Sequence, residues 1–275
     1  MMKTLIVLTL AVCLALTALP AAAEEQKLTL ADVNAESSLK MMLTRIVHTS
    51  GEDTLATRNY HVQQGSCTDG KYAYLILENQ VDHLGSIWKY DMSDWSLVNH
   101  VYGLEIDHGN DMTYNPKIGM LVVVHNAPNY TRLSLVDPDT LSVVKTWDQP
   151  RQMYSITYNE ARDQYAVGIS GTYDFAILDA DFNEFAYYRG QDTGLVKQGM
   201  DSDDNYIYFP QNKKDNSVNR VQVYDWTGSF ITSIRVSAFQ EIESMFHVGD
   251  DVYLAFNASG SYLYKADLQP ETLQK

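Results

Sequence analysis

An aspartate that recurs at a nearly fixed spacing constrains this chain more than any other feature. Five apolar-alternating segments end in one: Ile87–Asp91, Leu133–Asp137, Phe175–Asp179, Val221–Asp225 and Leu263–Asp267. Successive aspartates are 46, 42, 46 and 42 residues apart. A period in the forties built from short strands is that of one four-stranded propeller blade per repeat. The expected fold is all-β, a five-bladed β-propeller.

Each repeat reads as a first strand, a tight turn, an aromatic-rich return strand, the strand ending in aspartate, and a fourth strand. The turns fall at Asp69-Gly70, Asn115-Pro116, Asn159-Glu160, Asp203-Asp204 and Gly249-Asp250, residue types that favour turns. The fifth repeat runs out of chain before its fourth strand. Pairing the two chain ends would remove the open sheet edges, so an N-terminal strand is expected to close the last blade, most simply Arg58–Gln63. A further strand, Leu43–Thr49, is surplus to this count. The recurring aspartates read as scaffold, each carboxylate accepting N–H groups of the turn that follows it.

Residues 1–23 read as a secretory signal peptide: Lys3, an apolar run from Leu5 to Leu19, then Pro20 to Ala23. Residues 24–41 read as a polar linker and residues 42–275 as the propeller. No other stretch approaches the length of a membrane span. Cleavage leaves Cys67 alone, so no intramolecular disulfide can form, and Cys67 reads as a small buried residue. The net charge is −15, or −16 once Lys3 is removed. Such a charge argues against nucleic acid and anionic membranes as partners. It suits a soluble monomer that binds cations, cationic polymers or neutral glycans.

Aligning the first strands on their turns picks out one polar position per repeat: Gln64, Asn110, Tyr154, Gln198 and Glu243. The start of each innermost strand faces the propeller axis, so these five side chains are expected to ring it. A second set ends the return strands: Asn79, Asn126, Ser170, Gln211 and Asn257. Antiparallel pairing brings the end of the second strand beside the start of the first, so both rings open on one face as a polar funnel. His108, Asp111, Lys197 and Glu241 are its titratable neighbours, with His125 and Tyr173 further out. Amides and a tyrosine suit hydroxyl-rich ligands or peptide backbone, and polar groups lining a water-filled channel would look the same.

For catalysis, Glu243, Asp111 and His108 are the candidates, because hydrolysis needs two carboxyl groups flanking one bond. No Gly-x-Ser-x-Gly motif is present. No His/Asp/Glu spacing forms a metal-ligand set, and Asp201–Asp204 lacks the glycine and closing glutamate of a calcium loop. A calcium ion held by oxygens on the axis is the one cofactor considered.

The stretches that begin at Gln64-Gly65, His108-Gly109, Tyr154-Ser155 and Gln198-Gly199 resemble an uncharacterised propeller module in secreted proteins of clostridia and related gut bacteria. The resemblance covers nearly the whole mature chain. It implies a Gram-positive exported protein near the cell wall and no established activity. A weaker likeness is to five-bladed glutaminyl cyclotransferases, whose first blade carries Gln-Gly followed by Asp-Gly, as Gln64-Gly65 and Asp69-Gly70 do here. Those enzymes use glutamates on later inner strands, where this chain has Asn110, Tyr154 and Gln198. The expected function is therefore non-catalytic binding of a glycan, a cell-wall fragment or a peptide in the axial funnel, by a secreted, extracellular protein. The alternative is a hydrolase, lyase or cyclotransferase using the axial acids.

Overall fold

The computed structural model describes residues 27–48, 60–257 and 261–271; the signal peptide expected over 1–23 lies outside them. A single 3-10 turn at Leu30–Asp32 precedes a long strand, β1 (Leu39–His48). Three four-stranded antiparallel sheets follow in chain order. The first holds β2 (Tyr60–Thr68), β3 (Tyr72–Asn79), β4 (Leu84–Asp91) and β5 (Leu97–Leu104). The second holds β6 (Asp111–Asn115), β7 (Met120–Val124), β8 (Arg132–Val136) and β9 (Val143–Asp148). The third holds β10 (Met153–Asn159), β11 (Gln164–Ile169), β12 (Phe175–Leu178) and β13 (Glu184–Tyr188).

A composite nine-stranded sheet completes the molecule. One part runs from β14 (Val196–Lys197) and β15 (Asp201–Ser202), which both pair with β16 (Tyr206–Asn212), to β17 (Asn219–Asp225) and β18 (Phe230–Val236). The other part contains β19 (Glu241–Val248), β20 (Asp251–Asn257) and β21 (Ser261–Pro270), with β1 antiparallel to β21. A two-residue parallel bridge, Lys40–Met41 beside Arg235–Val236, joins the parts. The first strands pack in a cycle: β2 on β6, β6 on β10, β10 on β15, β15 on β19, and β19 back on β2. The architecture is that of a β-propeller, with repeated antiparallel sheets arranged around an axis.

Period-two alternation in the return strands builds the core, because successive side chains leave a strand on opposite faces. In β3, Ala73, Leu75 and Leu77 pack with Trp88, Tyr253 and Ala255, between the first sheet and β20. Tyr74 and Ile76 of the same strand turn the other way, onto Leu121 and Val123 of the second sheet. Both faces of a sheet are buried, so its strands read as nearly continuous apolar runs.

The recurring aspartates divide four to one. Asp91 accepts the Ser93 amide at 2.9 Å, and Asp137 accepts Asp139 and Thr140 amides at 3.0 and 2.8 Å. Asp179 accepts Asp181 and Asn183, and Asp225 accepts Thr227 and Ser229, all at 2.8–2.9 Å. Asp267 has no turn to cap, because β21 runs on to Pro270 and pairs residue by residue with β1, Asp267 opposite Met42.

This corrects the expected closing strand. Residues 60–63 of Arg58–Gln63 belong to β2, the first strand of the first sheet, and Arg58 lies outside the described residues. The segment thought surplus, Leu43–Thr49, falls in β1 as far as His48, and β1 occupies the outer position beside β21. Two register shifts hide this assignment. One between Gln63 and Ser66 lengthens β2 upstream of the aligned repeat, and one between Arg45 and Val47 breaks the alternation of β1. The stretch expected as a linker is also packed: Leu28 bridges to Leu268, and Leu30, Val33, Leu39 and Met41 are buried in the core.

Candidate functional site

All five residues of the expected inner ring are buried at one end of the axis, none more than 8% exposed. Most of them are bound to one another or to the frame. Asn110 Nδ2 donates to the Tyr154 carbonyl at 2.6 Å, and Asn126 Nδ2 donates to Asn110 Oδ1 at 2.8 Å. Gln198 Nε2 donates to Asn212 Oδ1 at 2.9 Å. The Tyr154 ring lies flat against Gly168, where an added Cβ would fall 2.5 Å from it. Lys197 Nζ covers that ring at 4.5 Å, so it offers no face for a sugar. The Gln64 carbonyl accepts from Ser244 Oγ at 3.0 Å.

The second set divides in the same way. Asn79 donates to Asp82 Oδ2 at 2.9 Å and accepts the Val81 amide, which makes it a turn cap. Gln211 Oε1 accepts from Thr193 Oγ1 at 2.6 Å. The Ser170 hydroxyl is buried without a hydrogen-bond partner among the described residues. Asn257 Nδ2 reaches Glu241 Oε2 at 3.4 Å.

Asp111 sits deeper, where the sheets converge, and is fully buried. Its Oδ2 accepts the amides of Ile156, on β10, and Met200, beside β15, both at 2.9 Å. Gly65 of β2 presses on its backbone; a Cβ there would lie 2.5 Å from Asp111 Cα. Gly199 is held equally tightly: a Cβ would meet Asp111 Oδ1 at 2.7 Å and Ser244 Cβ at 2.9 Å. Asp111 is thus a knot of the scaffold, enclosed beyond the reach of a substrate, which corrects its candidacy as a catalytic acid. Burial pushes its carboxyl well above the ordinary range, against the pull of its amide donors.

Glu243 is the inner-ring member left over, and it does not stand alone. Burial pushes its carboxyl well above the ordinary range, and the neighbouring Glu241 carboxylate, within hydrogen-bonding reach, pushes it further. Glu78 adds to this from the end of β3. Glu78 is the site residue that sequence reasoning missed. It is 2% exposed, with His108 Nδ1 2.9 Å from its Oε2 and His83 Nδ1 3.6 Å from its Oε1. The His108 contact is at ion-pair distance. Gln63, wholly buried, donates its Nε2 to backbone carbonyls and leaves Oε1 without a partner. The available signal was an acid directly after the apolar run Leu75–Leu77 and before the ring residue Asn79.

The opposite end of the axis differs. Asp201 Oδ2 and His247 Nδ1 lie 2.7 Å apart above a cavity of about 150 Å³ lined by Thr68, Thr113, Thr157 and Ser202. Asp201 pushes the imidazole up to about 9, so at neutral pH this end holds a matched ion pair.

One further constellation has the connectivity of a hydrolytic triad. Asp107 Oδ2 lies 2.6 Å from His125 Nδ1, and His125 Nε2 lies 2.7 Å from Ser134 Oγ. Ser134 is fully buried, and Thr146 Oγ1 occupies its remaining approach at 2.7 Å. Burial lowers the histidine. The set is a polar ladder across the second sheet and admits no substrate. Cys67 is buried and unpaired, its thiol pushed well up by burial. Among the described residues, no helix is long and apolar enough to cross a membrane.

No family model and no curated protein matches the chain. Solved structures do. A hydrazine synthase of Kuenenia stuttgartiensis aligns at 12% identity and a TM-score of 0.46, covering 75% of this chain and 58% of its own. The WD40 repeats of RRP9 align at 8% identity and a TM-score of 0.47, covering 86% of this chain and 99% of theirs. Neither likeness bears on activity.

Proposed function

We propose that this is an exported five-bladed β-propeller that binds a glycan, a cell-wall fragment or a peptide at the Glu78–Glu241–Glu243 mouth of its axis. The cycle of first strands supports five blades, with β1 as the outer strand of the last. Export follows from the leader-like residues 1–23, and placement near a Gram-positive cell wall from the clostridial resemblance. The observation that carries the binding reading is the set of three carboxyl groups gathered at one mouth, Glu241 and Glu78 both acting on the buried Glu243. Carboxyl groups crowded in this way favour an occupant that brings hydrogen-bond donors.

The test is a glycan, muropeptide and peptide array with the mature protein beside a Glu78→Gln/Glu243→Gln variant. Tyr154 and Gln198 are poor probes, because both are wired into the frame. A signal abolished by the double substitution supports the reading; the same signal from both proteins would refute the location. The enzymatic alternative is favoured by one observation, a Glu243 carboxyl held above its ordinary range by burial and by Glu241 beside it. Turnover of any array ligand, lost in Glu243→Gln with binding retained, would establish it.

A further inference from the structure

A cleft of about 740 Å³ opens between the second and third sheets, within the size range of ligand sites, roughly 300–1,000 Å³. It exists because one plug is turned aside. After each of the four capping aspartates, the turn holds a residue in the left-handed region. These are Trp95, Leu141, Phe182 and Gly228, at φ 59, 55, 65 and 90°. Leu141 is fully buried in the core between the first two sheets. Trp95 packs on Tyr253, 5.3 Å away, and fills the gap beside the fifth repeat. At Gly228 the space belongs to Tyr188 of the third sheet, 2.3 Å from where a Cβ would stand. Phe182 instead stacks back on Tyr165 of its own sheet, with centroids 4.5 Å apart and planes 21° apart. It meets the facing sheet at Trp147, 4.9 Å away, and the space beyond stays open.

The lining has two chemistries. The floor is Leu135, Met153, Val167 and Leu178, whose side chains carry no hydrogen-bond donor. The lips are polar. Lys145 stands on β9 with the Trp147 ring 5.2 Å below it, and no carboxylate is in reach among the described residues. Asp181 stands on the other sheet, in the turn after β12, with no cation in reach among the described residues. Arg151 and Glu184 pair with each other. We propose that this cleft is a second binding site, for an extended peptide. The peptide buries one large aliphatic side chain on the floor and sets an acid against Lys145 and a base against Asp181. A hydroxyl-rich sugar would meet a floor that cannot satisfy it. A lipid tail would suit the floor and leave both lip charges unmet. A peptide serves floor and lips together, because residues two apart in an extended chain leave it on the same face. Its charged residues therefore lie two before and two after the apolar one. The cleft shares no lining residue with the Glu78–Glu241–Glu243 mouth, so the proposal stands apart from the reading of that mouth.

The test is calorimetry on the mature protein with three capped pentapeptides that share a central leucine between glycines. One ends in aspartate and lysine, one in two aspartates and one in two lysines. Salt at about 0.15 M screens the overall charge of the chain. The mixed peptide should bind about threefold or more tighter than either like-charged one. Replacing its leucine by alanine should weaken binding about tenfold or more. Lys145→Glu should move the preference to the two-lysine peptide, and Asp181→Lys to the two-aspartate peptide. Both positions are exposed, and circular dichroism checks that each variant is folded. Equal binding of the leucine and alanine peptides would overturn the proposal. So would a preference that neither variant moves, which would put the peptide elsewhere on the molecule. Failure of all three peptides to bind would overturn it as well.

Discussion

The two ends of the axis carry similar acids and treat them in opposite ways. At one end Asp201 is matched within the fold by His247, 2.7 Å away, and hydroxyls line the remaining space. At the other, Glu78 has His108 at 2.9 Å and His83 at 3.6 Å, while Glu241 and Glu243 press on each other. Between them Asp111 ties the amides of Ile156 and Met200 to its own carboxylate. The contrast separates two uses of buried charge. Where the chain supplies the counter-charge, the acid serves the fold. Where it withholds one, a partner is expected from outside, and removing the acid should cost binding before it costs stability.

The comparison can be broken in several places. The largest effect is expected at the centre. Asp111→Ala orphans two buried amides and opens a cavity, and should cost about 4 kcal/mol of unfolding free energy in a urea titration. A loss under about 1 kcal/mol would mean that the axis is not knotted there.

Next comes the matched end. His247 has a folded pKa of about 9, above its unfolded value of about 6.5. The pair therefore contributes fully below about pH 6.5 and is lost as pH rises through about 9. The linkage is worth at most about 3 kcal/mol. His247→Ala should remove this pH dependence and lower stability most at mildly acidic pH.

At the open end the pH slope has the same sign but another origin. Glu243 is held above its unfolded pKa by burial and by Glu241, so ionising it costs stability as pH rises. Glu243→Gln should raise stability relative to the parent from about pH 5 upward, because the unfolded carboxyl ionises at about 4.3 while the folded one resists, and should abolish ligand binding. The smallest effect is expected on the rim. Asp137→Asn keeps an oxygen for the turn amides and should shift stability by no more than about 0.5 kcal/mol.

Much of the frame was legible in the chain. The period of the aspartates and the alternation of β3, β11 and β16 translate directly into strands and into the two faces each presents. The closure was harder to read, because the register shifts at Arg45/Val47 and Gln63/Ser66 move side chains across faces without any change in composition. In the axial rings, residue type revealed polarity but not partnership. Asn110, Asn126 and Gln198 look as available as Glu243 in sequence, yet they are consumed by one another, by Asn212 and by the Tyr154 carbonyl. Partnership is decided by contacts 14 to 44 residues apart in sequence, which a local pattern does not encode. Glu78 escaped notice because its significance depends on His108 and Glu243, which belong to other repeats.

The most direct test of the account is an NMR titration of protein labelled at glutamate Cδ and histidine ring nitrogens, adding a ligand found on the array at constant pH. The account predicts that the Glu78, Glu241 and Glu243 carboxyl signals move, while His247 stays still. Movement of His247 with the three glutamates unchanged would place the ligand at the other end of the axis and contradict it.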